Sequence, residues 1–347
     1  MTGRSGDPVP IHVPDHTPIP DHTPIPIHIP IRIPIPYETP YDFAKLLAFF
    51  RGRALVGVEL VTDDAYMRSI RVVDDDGRPH DGLIRVEDDS ENERLLLTVT
   101  RSLAPVADEI ERRVRYAFDV DDNGEDVARA LAPLQEVVPS LVVSPLRVPG
   151  SLEPFEIACR AILGQQVSVQ AANRFAERIV DALGDRIAAD LASDDELEAI
   201  LGEERGALDD GRIGSLWPTP SAILAIEDVE ATLGGLGVIR NRSRVIREVA
   251  RLVESGELSL TPFSRDESHA ESQMRRLLDI KGIGPWTANY IAMRALDHTD
   301  AFLEKDVGVI HALPDMTPKE RLELVEPSRP FRSYAVLALW NSIGSAE

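Results

Sequence analysis

Cysteine is almost absent from this 347-residue chain: Cys159 is the only one. A single thiol cannot close an internal disulfide, hold a cysteine-ligated iron–sulfur cluster or furnish a multi-cysteine zinc site. Lysine is nearly as scarce, with Lys45, Lys281, Lys305 and Lys319 the whole set, so arginine supplies most of the positive charge. No apolar run reaches membrane-spanning length, and proline breaks the N-terminus where a signal peptide would carry its apolar core. The absences predict a cytoplasmic protein with no membrane association, long enough for about two domains.

Acid is what the chain has in excess: 59 Asp and Glu against 37 Lys and Arg leave a formal charge of −22. An Asp-rich, Lys-poor surface suits a high-salt cytoplasm, so a halophilic source is expected, with an ordinary acidic protein as the alternative. Net charge does not decide where the cations sit, so a polyanionic partner stays open.

Three regions differ in pattern. Residues 1–36 are low-complexity: Asp-His-Thr-Pro-Ile-Pro occurs twice in tandem from Asp15 to Pro26, and Ile-Pro dipeptides continue to Pro36. Proline at every second or third position removes amide donors and favours polyproline II, which predicts a disordered tail. His12, His16, His22 and His28 within it could alternatively bind metal. Residues 37–148 read as an α+β domain. A helix is expected over Phe43–Phe50, three strands over Leu55–Thr62, Tyr66–Val73 and Leu95–Thr100, and a helix over Leu103–Phe118. Residues 149–347 read as all-α, with Asp194–Asp210 an acidic exposed loop or surface helix. The fold class is therefore mostly α with an N-terminal α+β domain carrying a small antiparallel sheet.

Within the helical region, Gln273–Leu296 joins two helical patterns through Ile280-Lys281-Gly282-Ile283-Gly284. Glycine opens torsions closed to other residues and leaves amides uncovered, while Ile283 can bury between the helices. A hairpin of this kind, feeding a helix N-terminus, can grip a phosphate without side-chain charge. An acidic protein could bind DNA in this way. A plain helical corner explains G-x-G equally well, but G-I-G-P-W-T-A-N-Y is a far more specific string.

Lys281–Leu296, followed by D-A-F-L-E-K-D-V up to Val307, resembles the helix-hairpin-helix DNA glycosylase superfamily, and within it the 3-methyladenine DNA glycosylase II enzymes that remove alkylated bases. The resemblance extends to P-F-E-I-A-C-R-A-I-L-G-Q-Q-V-S-V (Pro154–Val169), W-P-T-P (Trp217–Pro220) and R-P-F-R-S-Y-A-V-L-A-L-W (Arg329–Trp340). It also takes in P-Y-D-F-A-K-L-L-A-F-F (Pro40–Phe50) and A-Y-M-R-S-I (Ala65–Ile70). It implies a helix-hairpin-helix glycosylase core behind the small sheet domain, acting in base excision repair on double-stranded DNA containing damaged bases. The protein is expected to be a nucleoid-associated monomer.

Site residues follow from the match. Asp306 would be the catalytic carboxylate, stabilising positive charge on the sugar as the N-glycosidic bond breaks; it also reads as the N-cap of a helix from Val307 to Leu313. Trp286, Tyr290, Trp340 and Phe49 would line the base pocket, where electron-rich rings stack on a cationic alkylated purine. Core packing is the other reading for the first three, and a domain contact for Phe49. Gln166 would be the minor-groove wedge, standing where resembling enzymes carry an apolar residue; an exposed break between helices is its alternative. Lys281, Gly282, Ile283, Gly284 and Thr287 would meet the phosphates, joined by Arg244 and Arg247 on an amphipathic helix that could equally be a solvated charged face. No metal ligands or organic cofactor are expected, although some members hold an alkali cation on the hairpin carbonyls. Two other functions remain in view. One is a bifunctional glycosylase/lyase for oxidised bases, which needs a lysine where Trp286 stands. The other is a non-catalytic DNA-binding protein that borrows the hairpin.

Overall fold

The computed structural model describes residues 30–188, 191–261 and 267–343. The tandem repeats and the four tail histidines lie outside them. Five antiparallel strands form one sheet in the order β1-β5-β4-β3-β2, with β1 Ile31–Pro36, β2 Glu59–Val61, β3 Ala65–Val73, β4 Pro79–Asp89 and β5 Arg94–Val99. Alternation sorts the side chains to two faces. Tyr66, Ile70, Ile84, Val86, Leu95 and Leu97 pack with the helices α1 (Phe43–Arg51) and α2 (Ala107–Ala117), through Phe43, Leu47, Phe50, Ile110 and Val114.

The sheet corrects two sequence expectations. Residues 31–36 were expected in the disordered tail, yet they pair with β5 from Ile31↔Val99 to Pro36↔Arg94. Proline at alternate positions is tolerable on an edge strand, where the missing N–H faces outward, and the intervening isoleucines point to the core, with Ile35 fully buried. The central strand β4 was not expected at all. Its ends are polar, and Gly82 interrupts it because a Cβ there would strike Thr100 Oγ1 and Leu103. Leu55–Val58, expected as strand, is a turn leading into the short β2.

The acidic stretch is more than an exposed surface. It forms α6 (Asp194–Leu201) and a 3-10 turn, and Ile200, Leu201 and Ala207 bury against Ala65, Met67 and Leu83 on the second face of the sheet. Glu196 closes a capping box with Ser193 and accepts the Arg101 amide at 2.7 Å, while Arg85 donates to the Ile200 carbonyl at 3.2 Å. Asp194, Asp195 and Glu198 face solvent, Glu196 is buried, and the apolar stripe covers the sheet.

The remaining helices form the second core: α3 (Gly124–Val137), α4 (Pro154–Leu163), α5 (Val169–Leu183), α7 (Pro220–Leu224), α8 (Val229–Gly235), α9 (Arg240–Glu254), α10 (Glu267–Asp279), α11 (Pro285–Ala295), α12 (Val307–Ala312), α13 (Pro318–Val325) and α14 (Arg332–Ile343). Val127, Leu131 and Leu134 of α3 join this core and not that of the sheet, although α3 precedes residue 149. Buried charge crosses between the two cores. Arg68 of β3 pairs with Glu156 of α4 and Glu59 of β2; Arg160 bonds Glu156 at 2.8 Å and also the Arg53 carbonyl. Among the described residues, no helix is long and apolar enough to cross a membrane.

Candidate active site

Asp306 begins α12, and its two oxygens have different partners. Oδ1 accepts the amides of Gly308 (2.9 Å) and Val309 (3.2 Å) and the Trp340 indole N–H (2.7 Å). Oδ2 accepts the Trp286 indole N–H at 2.9 Å. The helix-cap and site readings of the sequence are therefore compatible: Oδ1 caps α12 and holds the Trp340 indole, while Oδ2 holds the Trp286 indole. Gly308 makes this possible, because a Cβ there would lie 2.5 Å from Trp340 Cδ1 and push the indole off the carboxylate. Among the described residues every hydrogen bond to Asp306 comes from a neutral N–H, and no cation pairs with it; Lys305 is exposed.

The aromatic residues gather at Asp306. Trp286 and Tyr290, one turn apart on α11, stack at 5.3 Å with planes 15° apart, and both are half-buried, as is Trp340. Arg294, the next turn along, donates to the Tyr290 hydroxyl at 3.1 Å. Burial pushes the Tyr290 phenol up, but the guanidiniums of Arg294, Arg53 and Arg160 outweigh it and hold the phenol below its ordinary range. Phe49 belongs to the neighbourhood in another way than as a free stacking surface. The guanidinium of Arg53 lies 3.8 Å from its ring centroid and that of Arg294 4.8 Å, and the ring touches both cores. The domain-contact reading of Phe49 fits this placement better than the pocket reading.

The hairpin divides its expected residues. Gly282 has φ +110, and a Cβ would come within 2.6 Å of Val245 on α9. It needs glycine on both counts. Gly284 is extended and open on all sides, so glycine there only leaves its amide bare. Ile283 buries its side chain and donates its amide to the Ile280 carbonyl at 3.0 Å, so that N–H closes the turn and is not offered to a phosphate. Thr287 is 3% exposed; its hydroxyl accepts from Gln165 and does not face solvent. Lys281 is exposed, and among the described residues the neighbouring amides of Gly282, Gly284 and Trp286 have no protein acceptor.

Gln166 sits exposed between α4 and α5 at φ +57, flanked by exposed Val167 and Val169. The arginine cluster, by contrast, is engaged elsewhere. Arg244 holds Glu230 at 2.5 Å and Arg240 holds it at 3.0 Å; Arg247 donates to the carbonyls of Ile226 (2.8 Å) and Leu224 (3.5 Å) at the end of α7. These side chains staple α9 to α7 and α8, while the hairpin lies against a different face of α9, at Asn241 and Val245. In this structure Arg244 and Arg247 make structural contacts with Glu230 and the carbonyls at the end of α7, the placement expected of a solvated charged face. Residues that the sequence reading missed are Gly308, Arg53, Arg294 and Gln165. Only Gly308, two positions beyond the acid in D-V-G, carried a local signal.

Two family models match the chain in series. Residues 32–153 match the AlkA N-terminal domain, and residues 159–321 match the HhH-GPD superfamily base excision DNA repair protein. The Escherichia coli DNA-3-methyladenine glycosylase 2 is 32% identical over 304 residues, 88% of this chain and 95% of the relative. The Bacillus subtilis DNA-3-methyladenine glycosylase is 29% identical over 269 residues, 72% of this chain and 78% of its own. In fold, a 3-methyladenine DNA-glycosylase from Archaeoglobus fulgidus superposes with a TM-score of 0.66 at 20% identity, covering 91% of this chain and 99% of that one. With the sheet domain inside the first match, the glycine hairpin and Asp306 inside the second, and the Escherichia coli relative 32% identical over nearly its whole length, the chain belongs to the HhH-GPD superfamily, in the branch that carries the AlkA N-terminal domain.

Proposed function

We propose that the protein is a monofunctional 3-methyladenine DNA glycosylase acting in base excision repair of alkylated bases, as a monomer on double-stranded DNA. The observation that carries the reading is Asp306 fixed by two indole N–H groups, one of them from Trp286, which stacks with Tyr290 on the hairpin's own second helix. Bare amides at Gly282, Gly284 and Trp286 hold a phosphate, and Gln166 enters the stack vacated by the extruded base. The base stacks against the Trp286–Tyr290 slab. The C1′–N bond breaks with its electron pair leaving on the base, which departs neutral because an alkylated purine carries a positive charge beforehand. Asp306 Oδ2 stabilises the cationic sugar, then water adds to C1′ and gives up its proton, for which Asp306 is the nearby acceptor.

A monovalent cation at the hairpin, as some members hold, would be bound by main-chain oxygens. The carbonyls of Ile280 and Gly282 each accept one protein hydrogen bond and keep a second lone pair, so they fit such an ion. It would add positive charge beside the phosphate and take no part in bond breaking.

The test is release of free base from alkylated duplex, with the strand examined afterwards. The reading requires free base, an intact abasic strand and no protein–DNA adduct on borohydride treatment, since Trp286 is no Schiff-base amine. A trapped adduct that disappears when Lys281 or Lys305 is replaced would move the protein to the lyase class.

A further inference from the structure

We infer that Gln165 is a positioning residue that couples the Gln166 wedge to the phosphate-gripping hairpin, an inference resting on the glycosylase reading above. Both amide hydrogens of Gln165 are committed across the gap between α4 and α11. Nε2 donates to the Gly282 carbonyl at 3.0 Å and to Thr287 Oγ1 at 3.1 Å. Its own main-chain carbonyl accepts the guanidinium of the buried Arg242 on α9. The loop is thus held through its side chain to the hairpin and through its backbone to α9. The circuit closes at Gly282, which lies against Val245 and Asn241 of the same α9.

The residue next in line is the one under strain. Gln166 has φ +57, a torsion that a side chain bearing a Cβ adopts only where the surroundings over-determine it. Gln165 and Arg242 add to that over-determination from outside the loop, where the exposed tip formed by Gln166 and Val167 otherwise has only the local tie of the Val167 amide to the Gly164 carbonyl at 3.4 Å among the main-chain bonds of the described residues. The hairpin grips one strand's backbone and the tip must displace a base from the stack. With the clamp, the distance between them is set, so a phosphate seated at Gly282–Trp286 drives Gln166 to a defined depth in the groove. Without it the tip yields before a paired base does. The second polar acceptor has the same logic: Thr287 is buried, and its hydroxyl faces Gln165 and not the DNA.

A clamp of this kind acts on opening a base pair, not on the chemistry, and that separates it from a merely structural role. The experiment compares single-turnover excision of 7-methylguanine paired with cytosine against the same lesion in a mismatch, where little pairing opposes extrusion. In parallel, emission from 2-aminopurine in a paired site reports unstacking on binding, with no need for excision. Gln165→Ala should lower the paired-to-mismatched ratio by about tenfold, the scale of losing two hydrogen bonds of ordinary net strength. Gln165→Glu keeps the size and loses both donors, so it should behave like the alanine variant; Thr287→Val should fall between, and its effect should vanish in the Gln165→Ala background. The emission rise should shrink in the same order. An unchanged ratio and emission in Gln165→Ala, or a Gln165→Glu protein that matches wild type, would overturn the clamp. Wild type that raises emission yet releases no base would sink the glycosylase reading and leave the clamp standing.

Discussion

Two carboxylate sites in this molecule, one buried and one half-buried, are stabilised by opposite means. Between the cores, Glu156 and Glu59 are answered by the full charges of Arg68 and Arg160. Beside Trp286 and Trp340, Asp306 is answered among the described residues by dipoles alone: two indole N–H groups and two helix amides. A counter-ion neutralises what it holds, whereas a dipole orients an anion and leaves its net charge to act on whatever arrives. Glu156 is therefore built to stay and join two domains. Asp306 is built to meet a cation that exists only as a sugar–base bond breaks.

The comparison can be broken at several points. Glu156→Ala leaves the buried Arg68 and Arg160 to share Glu59 alone, one carboxylate for two guanidiniums, and should destabilise the protein by about 3–5 kcal/mol, measured by denaturant unfolding. Replacing the pair, Arg68→Met with Glu156→Leu, should recover most of that loss. If the paired replacement is as costly as the single one, the network has more than a structural role.

Trp286→Phe keeps the ring and removes one neutral donor to Asp306. Losing a hydrogen bond to a charged group is worth about 1.5–3 kcal/mol, so excision should fall by roughly tenfold to a hundredfold while affinity for an abasic-analogue duplex holds. A loss confined to affinity would mean that the indole only stacks.

A third carboxylate gives a pH test. Burial, then the neighbouring Asp122, pushes the Asp119 carboxyl well above the usual range; it accepts the Val148 amide at 2.7 Å and the Tyr334 hydroxyl at 2.8 Å. Burial also opposes the charge of Glu156, but Arg68 and Arg160 outweigh it and hold that carboxyl low. The signs differ. The raised Asp119 contributes stability that is complete below the ordinary carboxylate value, about 4, and is lost as pH rises through its folded value. The lowered Glu156 contributes stability present above about 4 that is lost as pH falls through its own. Asp119→Asn, which imitates the protonated form, should flatten the alkaline-side decline of the melting temperature and leave the acid side alone. A steeper alkaline decline would contradict this.

The smallest effect belongs to Arg244, exposed and paired with Glu230. Arg244→Ala should change stability by no more than about 0.5 kcal/mol. DNA affinity across a salt titration should also stay within about twofold, because this guanidinium is turned to α8. A shallower salt slope by about one would return it to the phosphate contacts.

What could be read in the sequence was what lies close along the chain. Lys281–Gly284 and Asp306 stood out because a hairpin and a cap are local motifs with fixed spacing. Trp340 was placed through family resemblance, since nothing local ties it to an acid on another helix. Gln165, Arg53 and Arg294 matter through contacts with segments remote in sequence, and no pattern around them announces this. The same holds for Arg244 and Arg247: a basic helix face looks alike whether it meets phosphate or Glu230. Strand β1 was hidden by reading its prolines as polyproline II, and β4 by polar ends and an interior glycine that only the close approach of Thr100 explains.

The central claim is that Asp306 works through its charge and not its shape. Asp306→Asn retains an acceptor for Gly308, Val309 and Trp340, so the cap and the fold should persist. Single-turnover excision of 7-methylguanine from duplex DNA should then drop by about a thousandfold or more, with binding to an abasic-analogue duplex unchanged. Excision by the folded variant within about tenfold of wild type would show that Asp306 is a helix cap and that the cleft performs its chemistry without it.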